Sequence, residues 1–404
     1  MQKKKKKTWR RWRHQSIRDL LYWPVGLFVK LKSGVRIESF RDRSRPYLII
    51  MNHQTSYDQF FVSMAFRNPV YFLATEDLFS NGWISKLLSW AVAPIPIKKQ
   101  TTDVHAVMNC IRIAKEGGTI ALAPEGNRTY SGRTGYFKPS ILALVRKLKL
   151  PLAIFRIEGG YGVQPRWSDV MRRGKMRAYV SRVVEPEEYE KMTNEELHKL
   201  ISDGMYVDEA AVTGEFFHKK NAEYLERAMY VCPFCGLSTF ESHDDLITCR
   251  TCGRQIRHNP DKTLTGVGFP FPHRYVADWY DAQCAYVNTL QLTEPAYAEK
   301  PLYTDTVDVS EVILYKNKQR IAENVQMELY GDRMELKGSM AMVIPFADVQ
   351  AITVLGKNKL NVYYGDKVYQ MKGDKRFNAL KYVNLCCRYQ NITGEDGDAE
   401  FLGL

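Results

Sequence analysis

From residue 47 to about 184 the chain alternates short apolar runs with stretches of helical periodicity. The runs fall at 47–51, 70–74, 95–97, 119–123, 151–157 and 178–184, and the helical stretches between them include 104–115 and 140–148. Strand, helix and strand in repetition predict an α/β domain built on a mostly parallel sheet with helices on both faces. The stretch 194–230 reads as helical and is expected to close that domain. From Val307 the period changes from 3.6 to 2. Residues 327–336, around Gly331-Asp332, and 361–370, around Gly365-Asp366, each read as a β-hairpin. Phe377, Leu380, Val383 and Cys387 then recur at helical spacing. Several antiparallel strands followed by one helix predict a small β-rich, pleckstrin-homology-like or GRAM-like barrel.

The chemistry gathers where the apolar runs end. After 47–51 comes Asn52-His53-Gln54-Thr55-Ser56-Tyr57-Asp58, with Thr55 or Ser56 as the expected helix N-cap. A histidine at the carboxyl edge of a strand stands where open α/β sheets place their ligands. In one continuous helix, residues five apart point about 140° away from each other. His53 and Asp58 can therefore meet only if His53 precedes the first turn and Asp58 reaches back. In that arrangement the carboxylate orients the ring and leaves its other nitrogen free to take a proton. After 119–123 a turn carries Pro124, Glu125, Gly126, Asn127 and Arg128. An arginine there suits a phosphate, because its planar fork can donate to two oxygens. The run at 95–97 ends in Lys98 and Lys99.

The order Asn-His-x4-Asp, apolar-Pro-apolar ending in a cation, Pro-Glu-Gly-x-Arg-Thr, then Leu150-Pro151-Leu152-Ala153-Ile154 resembles the glycerolipid acyltransferases that acylate lysophosphatidic acid. The resemblance covers roughly residues 15–225. Two positions depart from the usual pattern: Lys99 stands where arginine is common, and Asn127 where threonine is common. The resemblance implies an α/β acyltransferase domain that moves a fatty acyl group from a thioester to the free hydroxyl of a lysophospholipid, 1-acylglycerol 3-phosphate first, to give phosphatidate. His53 and Asp58 would be catalytic, and Lys98, Lys99, Glu125, Gly126 and Arg128 would bind substrate. The donor would be acyl-acyl carrier protein or acyl-coenzyme A. No motif places a serine or cysteine as nucleophile, and Ser56 is read as a cap.

Composition limits the alternatives. The chain has 404 residues, enough for two or three domains, with 45% apolar and 25% charged residues. Its net charge is +13, but Lys3 to Lys7, Arg10, Arg11 and Arg13 put eight cations in the first thirteen residues and leave +5 for the rest. The interleaved Trp9 and Trp12 suit a lipid headgroup zone, a nucleic acid or a solvated tail. The following run 20–29 is interrupted by Pro24 and Gly26 and is too short to span a bilayer. It reads either as an interfacial helix or as a first helix packed on the sheet. Residues 1–30 are thus the expected membrane-surface contact. No small-residue cleavage site follows this run before Arg36, so the protein is expected in the bacterial cytoplasm, peripheral to the inner face of the cell membrane.

Cys232-Pro-Phe-Cys235-Gly and Cys249-Arg-Thr-Cys252-Gly form two CxxC knuckles separated by a short loop. That spacing turns four sulfurs toward one tetrahedral ion and predicts a structural Zn2+ with no position left for water. Cys110, Cys284, Cys386 and Cys387 lack such spacing and are expected as buried thiols. Around the knuckles the cations are balanced by Glu241, Asp244 and Asp245, which argues against a nucleic-acid partner. The expected layout is a basic, amphipathic membrane segment at 1–35, the acyltransferase domain at 36–229, a zinc ribbon at 230–260 and a linker at 261–300. A β-rich pleckstrin-homology-like domain at 301–392 and a tail at 393–404 complete it. The competing readings are the same transfer onto an amino-acid lipid or glycolipid, and a non-catalytic membrane adaptor.

Overall fold

The computed structural model describes residues 8–42, 44–80, 82–97, 103–313 and 317–394. The chain divides into two compact units. Unit 1 comprises the residues up to Arg128 with Thr134–Val163 and Gly174–Val212; unit 2 comprises Thr129–Arg133, Gln164–Arg173 and the chain from Thr213.

Unit 1 contains, in order, α1 (Trp12–Ser33), β1 (Val35–Ile37), β2 (Leu48–Met51), α2 (Asp58–Ala65), β3 (Val70–Thr75), α3 (Gly82–Ala91), β4 (Ile95–Ile97), α4 (Val104–Lys115) and β5 (Thr119–Leu122). Then come α5 (Ile141–Leu148), β6 (Leu152–Glu158), α6 (Gly160–Val163), β7 (Met176–Val184), α7 (Pro186–Tyr189) and α8 (Asn194–Met205). The seven strands form one sheet in the order β1-β7-β6-β2-β5-β3-β4. From β6 to β4 every pairing is parallel; β7 runs antiparallel to β6, and β1 runs parallel to β7. A parallel strand buried on both faces is apolar nearly throughout; β2 and β5 are buried at every position, and their one polar residue, Thr119, accepts from the Tyr47 N–H through its hydroxyl. Leu48, Ile50, Ile120, Leu152 and Ile154 pack with Cys110 and Ile113 of α4, Val145 of α5 and Leu197 and Ile201 of α8.

Side-chain caps start the helices where the pattern places them. Asp103 accepts from the Ala106 N–H, and Thr193 with Glu196 forms a capping box. The expectation of helix from 194 to 230 fails beyond Met205. There the backbone turns to other partners, with Val207 accepting from Thr134, and only a 3-10 turn at Leu225–Arg227 follows. The basic segment is not wholly a tail. Trp9 donates its indole N–H to the Ala93 carbonyl at 3.1 Å, and the backbone N–H groups of Trp9 and Arg10 both donate to Glu116 at 2.7 Å. Trp9 therefore belongs to the domain surface, whereas Trp12 is exposed. The helix predicted near 20–29 runs farther, from Trp12 to Ser33 and through Pro24. No described helix is long and apolar enough to cross a membrane.

Unit 2 begins its regular structure with the knuckle strands β8 (Val231–Cys232) and β9 (Gly236–Leu237). A four-stranded sheet follows: β10 (Phe240–His243), β11 (Leu246–Cys249), β12 (Gln255–His258) and β13 (Leu264–Gly266). The stretch 261–300, expected as a linker, holds β13, α9 (Val276–Thr289) and α10 (Ala296–Glu299). α9 buries Val276, Trp279, Tyr280, Gln283 and Val287, and Trp279 donates to the Val231 carbonyl at 2.9 Å. Its apolar spacing is masked in the sequence by the Pro- and Gly-rich stretch before it.

The second seven-stranded sheet is antiparallel, in the order β17-β16-β15-β14-β20-β19-β18. Its strands are β14 (Tyr303–Glu311), β15 (Gln319–Leu329), β16 (Arg333–Lys337), β17 (Met342–Pro345), β18 (Val349–Leu355), β19 (Lys359–Tyr364) and β20 (Lys367–Lys372), and α11 (Leu380–Thr393) closes the unit. Both expected hairpins form, with Met327 opposite Leu336 and Asn361 opposite Gln370. The sheet is open and not a closed barrel, since among the described residues β17 and β18 are edges.

Candidate active site

β2 and β5 are parallel neighbours with Ile50 opposite Leu122. His53 lies three residues beyond Ile50 and Glu125 three beyond Leu122, so strand register alone brings the two loops to one level. The contact is direct: Glu125 accepts from the His53 backbone N–H at 2.8 Å. Its other oxygen accepts from the Gly135 N–H at 2.7 Å. Glu125 thus ties the loop after β2 to the far side of its own loop. Burial pushes its carboxyl up to about 8; the two N–H donors oppose the shift and the nearby Asp58 charge adds to it. Gly126 follows at φ 70°, a left-handed turn in which glycine avoids the Cβ penalty, and its N–H donates to Ala123. Arg128 is half-buried three positions after Glu125.

On the other side of β2, Asn52 carries the ladder past the strand end. Its amide donates to the Ile157 carbonyl at 2.9 Å and accepts from the Ile157 N–H at 2.8 Å. The side chain thereby holds the segment just before His53 against β6. Neither Thr55 nor Ser56 is the N-cap of α2; that position is Tyr57, without a capping side chain. Asp58, the first residue of the helix, reaches back instead. Its fully buried carboxylate accepts from His53 Nδ1 at 2.7 Å, Gln54 N at 2.7 Å, Thr55 N at 2.9 Å and Thr55 Oγ1 at 2.6 Å. A carboxylate with this many donors stays put. It places a proton on Nδ1 of His53 and leaves the Nε2 lone pair available. The His53 side chain is 27% exposed while Asp58 is 0% exposed, so the ring has solvent access and its anchor does not.

The structure therefore brings His53, Asp58 and Glu125 together and sets Gly126 and Arg128 on the adjoining loop. Lys98 and Lys99 lie outside the described residues. The roles of Asn52, Thr55 and Gly135 escape a linear reading. Asn52 and Thr55 had a signal in being polar at the end of a wholly apolar strand, whereas Gly135 had none.

In unit 2, Cys232, Cys235, Cys249 and Cys252 converge, with all four sulfurs within 4.8 Å of one another. Cys232 and Cys252 are 3.9 Å apart, and Cys235 and Cys249 are 3.6 Å apart. Sulfurs about 2.3 Å from a shared tetrahedral ion stand about 3.8 Å from each other, so these residues fit a metal ion.

Such a corner, a carboxylate-oriented imidazole at the carboxyl edge of a parallel sheet beside an arginine-bearing loop, is equipped for general-base chemistry. Residues 32–158, which contain it, match the model of the family described as Acyltransferase. The 1-acyl-sn-glycerol-3-phosphate acyltransferase BAT2, chloroplastic, of Brassica napus is 20% identical over 171 residues, 41% of this chain and 48% of that protein. LPAT1, chloroplastic, of Arabidopsis thaliana, also a 1-acyl-sn-glycerol-3-phosphate acyltransferase, is 20% identical over 170 residues, 41% of this chain and 46% of that protein. The chain spans about half the length of these curated relatives. The crystal structure of the 1-acyl-sn-glycerophosphate (LPA) acyltransferase PlsC from Thermotoga maritima aligns at 21% identity and a TM-score of 0.39, covering 48% of this chain and 76% of that one.

Proposed function

We propose that this protein transfers a fatty acyl group from an acyl thioester to the free hydroxyl of a lysophospholipid, converting 1-acylglycerol 3-phosphate to phosphatidate. The observation that carries the reading is the oriented, part-exposed imidazole of His53 within the stretch matching the Acyltransferase family. Nε2 of His53 takes the proton of the acceptor hydroxyl as its oxygen attacks the thioester carbonyl, while Asp58 stabilises the imidazolium that forms. Collapse of the tetrahedral adduct breaks the carbon–sulfur bond, and the thiolate leaves with the proton from His53. No covalent enzyme intermediate is required. Arg128, with Lys98 and Lys99, holds the acceptor phosphate, and Glu125 and Gly126 shape the loop that presents it. Coenzyme A or acyl carrier protein supplies the acyl group.

The four cysteines of unit 2 hold Zn2+, which supplies cross-linking and no chemistry, since four thiolates leave no position for water. The seven-stranded antiparallel sheet with α11 is a pleckstrin-homology-like module. Residues 1–30 rest on the inner face of the cell membrane. Each cation near an anionic surface is worth about 1 kcal/mol. Vesicle binding should therefore weaken as salt rises, and a chain lacking residues 1–13 should bind less. The decisive experiment is acyl transfer by the purified chain, with labelled acyl-coenzyme A and acyl-acyl carrier protein offered against lysophosphatidate, other lysophospholipids, amino-acid lipids and glycolipids. Transfer to lysophosphatidate that disappears in His53→Ala is the expected result. Transfer that survives within about tenfold in that variant overturns the mechanism, because losing a general base costs about 10²-fold or more. An acyl adduct trapped on Ser56 overturns direct attack.

A further inference from the structure

Two helices of unit 1 have their polarity reversed. α3 exposes Trp83, Ile84, Leu87 and Trp90, while the one side chain it buries is Ser85, whose hydroxyl donates to the Leu78 carbonyl at 2.6 Å. α1 buries His14, Gly26, Val29 and Ser33 and exposes Leu20, Trp23, Leu27 and Leu31 as a single stripe. A helix on a water-facing surface turns its apolar side inward. These two turn it outward, and contiguous exposed apolar surface of this kind marks an interface. The exposures are large where they matter: 79% for Trp23, 72% for Trp83 and 50% for Leu87. The two helices meet, because Arg13 donates to the Trp90 carbonyl at 3.0 Å and lies 5.3 Å over its ring. The stripe of α1 then runs through Phe28 to Tyr57, with ring centroids 6.2 Å apart, beside the Asp58 that anchors His53.

Charge decides what covers this face. α1 and α3 carry the exposed Lys30, Lys32 and Lys86, with exposed Arg10 just before α1, against a single acid, Asp19, which pairs with Arg18. A second copy of the chain would set these cations against their equivalents. An anionic bilayer offers them headgroups and offers the tryptophans the interfacial zone in which indoles settle. We propose that α3 is a second membrane-seating element, distant in sequence from residues 1–30, and that with the outer face of α1 it presents the Tyr57 edge of the His53 loop to the lipid surface. The proposal rests on the membrane association put forward above and not on the acyl-transfer reading.

The test is co-sedimentation of the full chain with vesicles of equal parts phosphatidylglycerol and phosphatidylcholine. Trp83→Asp/Leu87→Asp is compared with the parent, and thermal melting verifies that the variant folds. Both side chains lie in solvent, so the melt should not move. Losing two apolar anchors should lower the partition coefficient about tenfold or more, with residues 1–13 still present. The conservative Trp83→Phe should bind like the parent while losing part of the tryptophan quenching caused by brominated acyl chains. A double variant that binds within about threefold of the parent overturns the proposal. So does one whose sole change is a lower sedimentation mass, which would make the face a contact between copies. Transfer to a short-chain, monomeric lysolipid without vesicles should be equal in parent and double variant. If the parent binds vesicles as expected yet transfers nothing, the enzyme reading fails and the membrane face stands.

Discussion

The two polar centres of this chain are built to opposite specifications. At the edge of the unit 1 sheet, His53 is oriented by Asp58 through one nitrogen, and its ring is partly open to solvent. In unit 2, four cysteines turn inward until every sulfur lies within 4.8 Å of the others. The first centre leaves a lone pair unspent beside fixed charge, whereas the second turns all four of its sulfurs toward one point. A group held in place with unused capacity is suited to chemistry, and a group with none left is suited to cross-linking. The assembly also differs. The cysteines come from two knuckles 20 residues apart at most, and the imidazole corner adds Glu125, 72 residues from His53.

The largest effect should come from the closed centre. Structural zinc binding is worth about 10 kcal/mol or more at neutral pH. Cys232→Ser should therefore strip hydrogen-exchange protection from residues 231–266 while acyl transfer remains measurable. Protection that survives would show that the cysteines hold no folding metal. At the open centre, His53→Ala should lower kcat by about 10² to 10⁴, or 3 to 5 kcal/mol, with an unchanged melt. A smaller loss would erase the distinction between the two centres.

Titration sharpens the comparison further. The Glu125 carboxyl is raised to about 8 from its ordinary 4.5, so the folded chain keeps a proton that the unfolded chain releases. Stability should fall as pH rises between those values, by about 2 kcal/mol in all once partial solvent access is allowed for. Melts of Glu125→Gln from pH 6 to 9 should be flatter than those of the parent. In unit 2 the sign reverses. Burial, then the Arg172 charge, holds His258 well below its ordinary 6.5. The unfolded chain takes up the proton first, so stability should be lost as pH falls below about 6.5, by about 1 kcal/mol over the first unit. His258→Leu should flatten melts between pH 5 and 7; an unchanged slope would mean the imidazole reaches water.

Much of this was legible along the chain, and the failures share a cause. Parallel strands inside a sheet are largely apolar, so the fully buried β2 and β5 and the partly buried β3 and β4 announced themselves, and α4 was bounded at both ends by its pattern. The expectation that His53 precedes the first turn and Asp58 reaches back to it holds, because residues five apart in one helix cannot meet. The N-cap was misread because Thr55, a residue of capping type, is spent on the Asp58 carboxylate. The supposed linker hides α9, whose value lies in partners such as Val231, 48 residues away. Trp9 left three readings open along the chain, a headgroup zone, a nucleic acid or a solvated tail, and its donation to the Ala93 carbonyl, 84 residues away, could not be read there.

By itself the sequence determined the periodicities, hence the helices, the apolar strands, the two antiparallel hairpins and the paired CxxC knuckles, because each is written in residues close along the chain. It also pointed to side chains whose chemistry suits taking a proton, such as His53, or holding a phosphate, such as Arg128. The tertiary structure decided which of them meet. The register of β2 against β5 levels His53 with Glu125, and the pairing of β2 with β6 recruits Asn52. The packing of α1 and α3 turns serine, histidine and glycine inward and leaves tryptophan and leucine outside. Hydrophobic pattern reports that a helix has an apolar face, but only the packed neighbours determine whether that face looks into the protein or out of it.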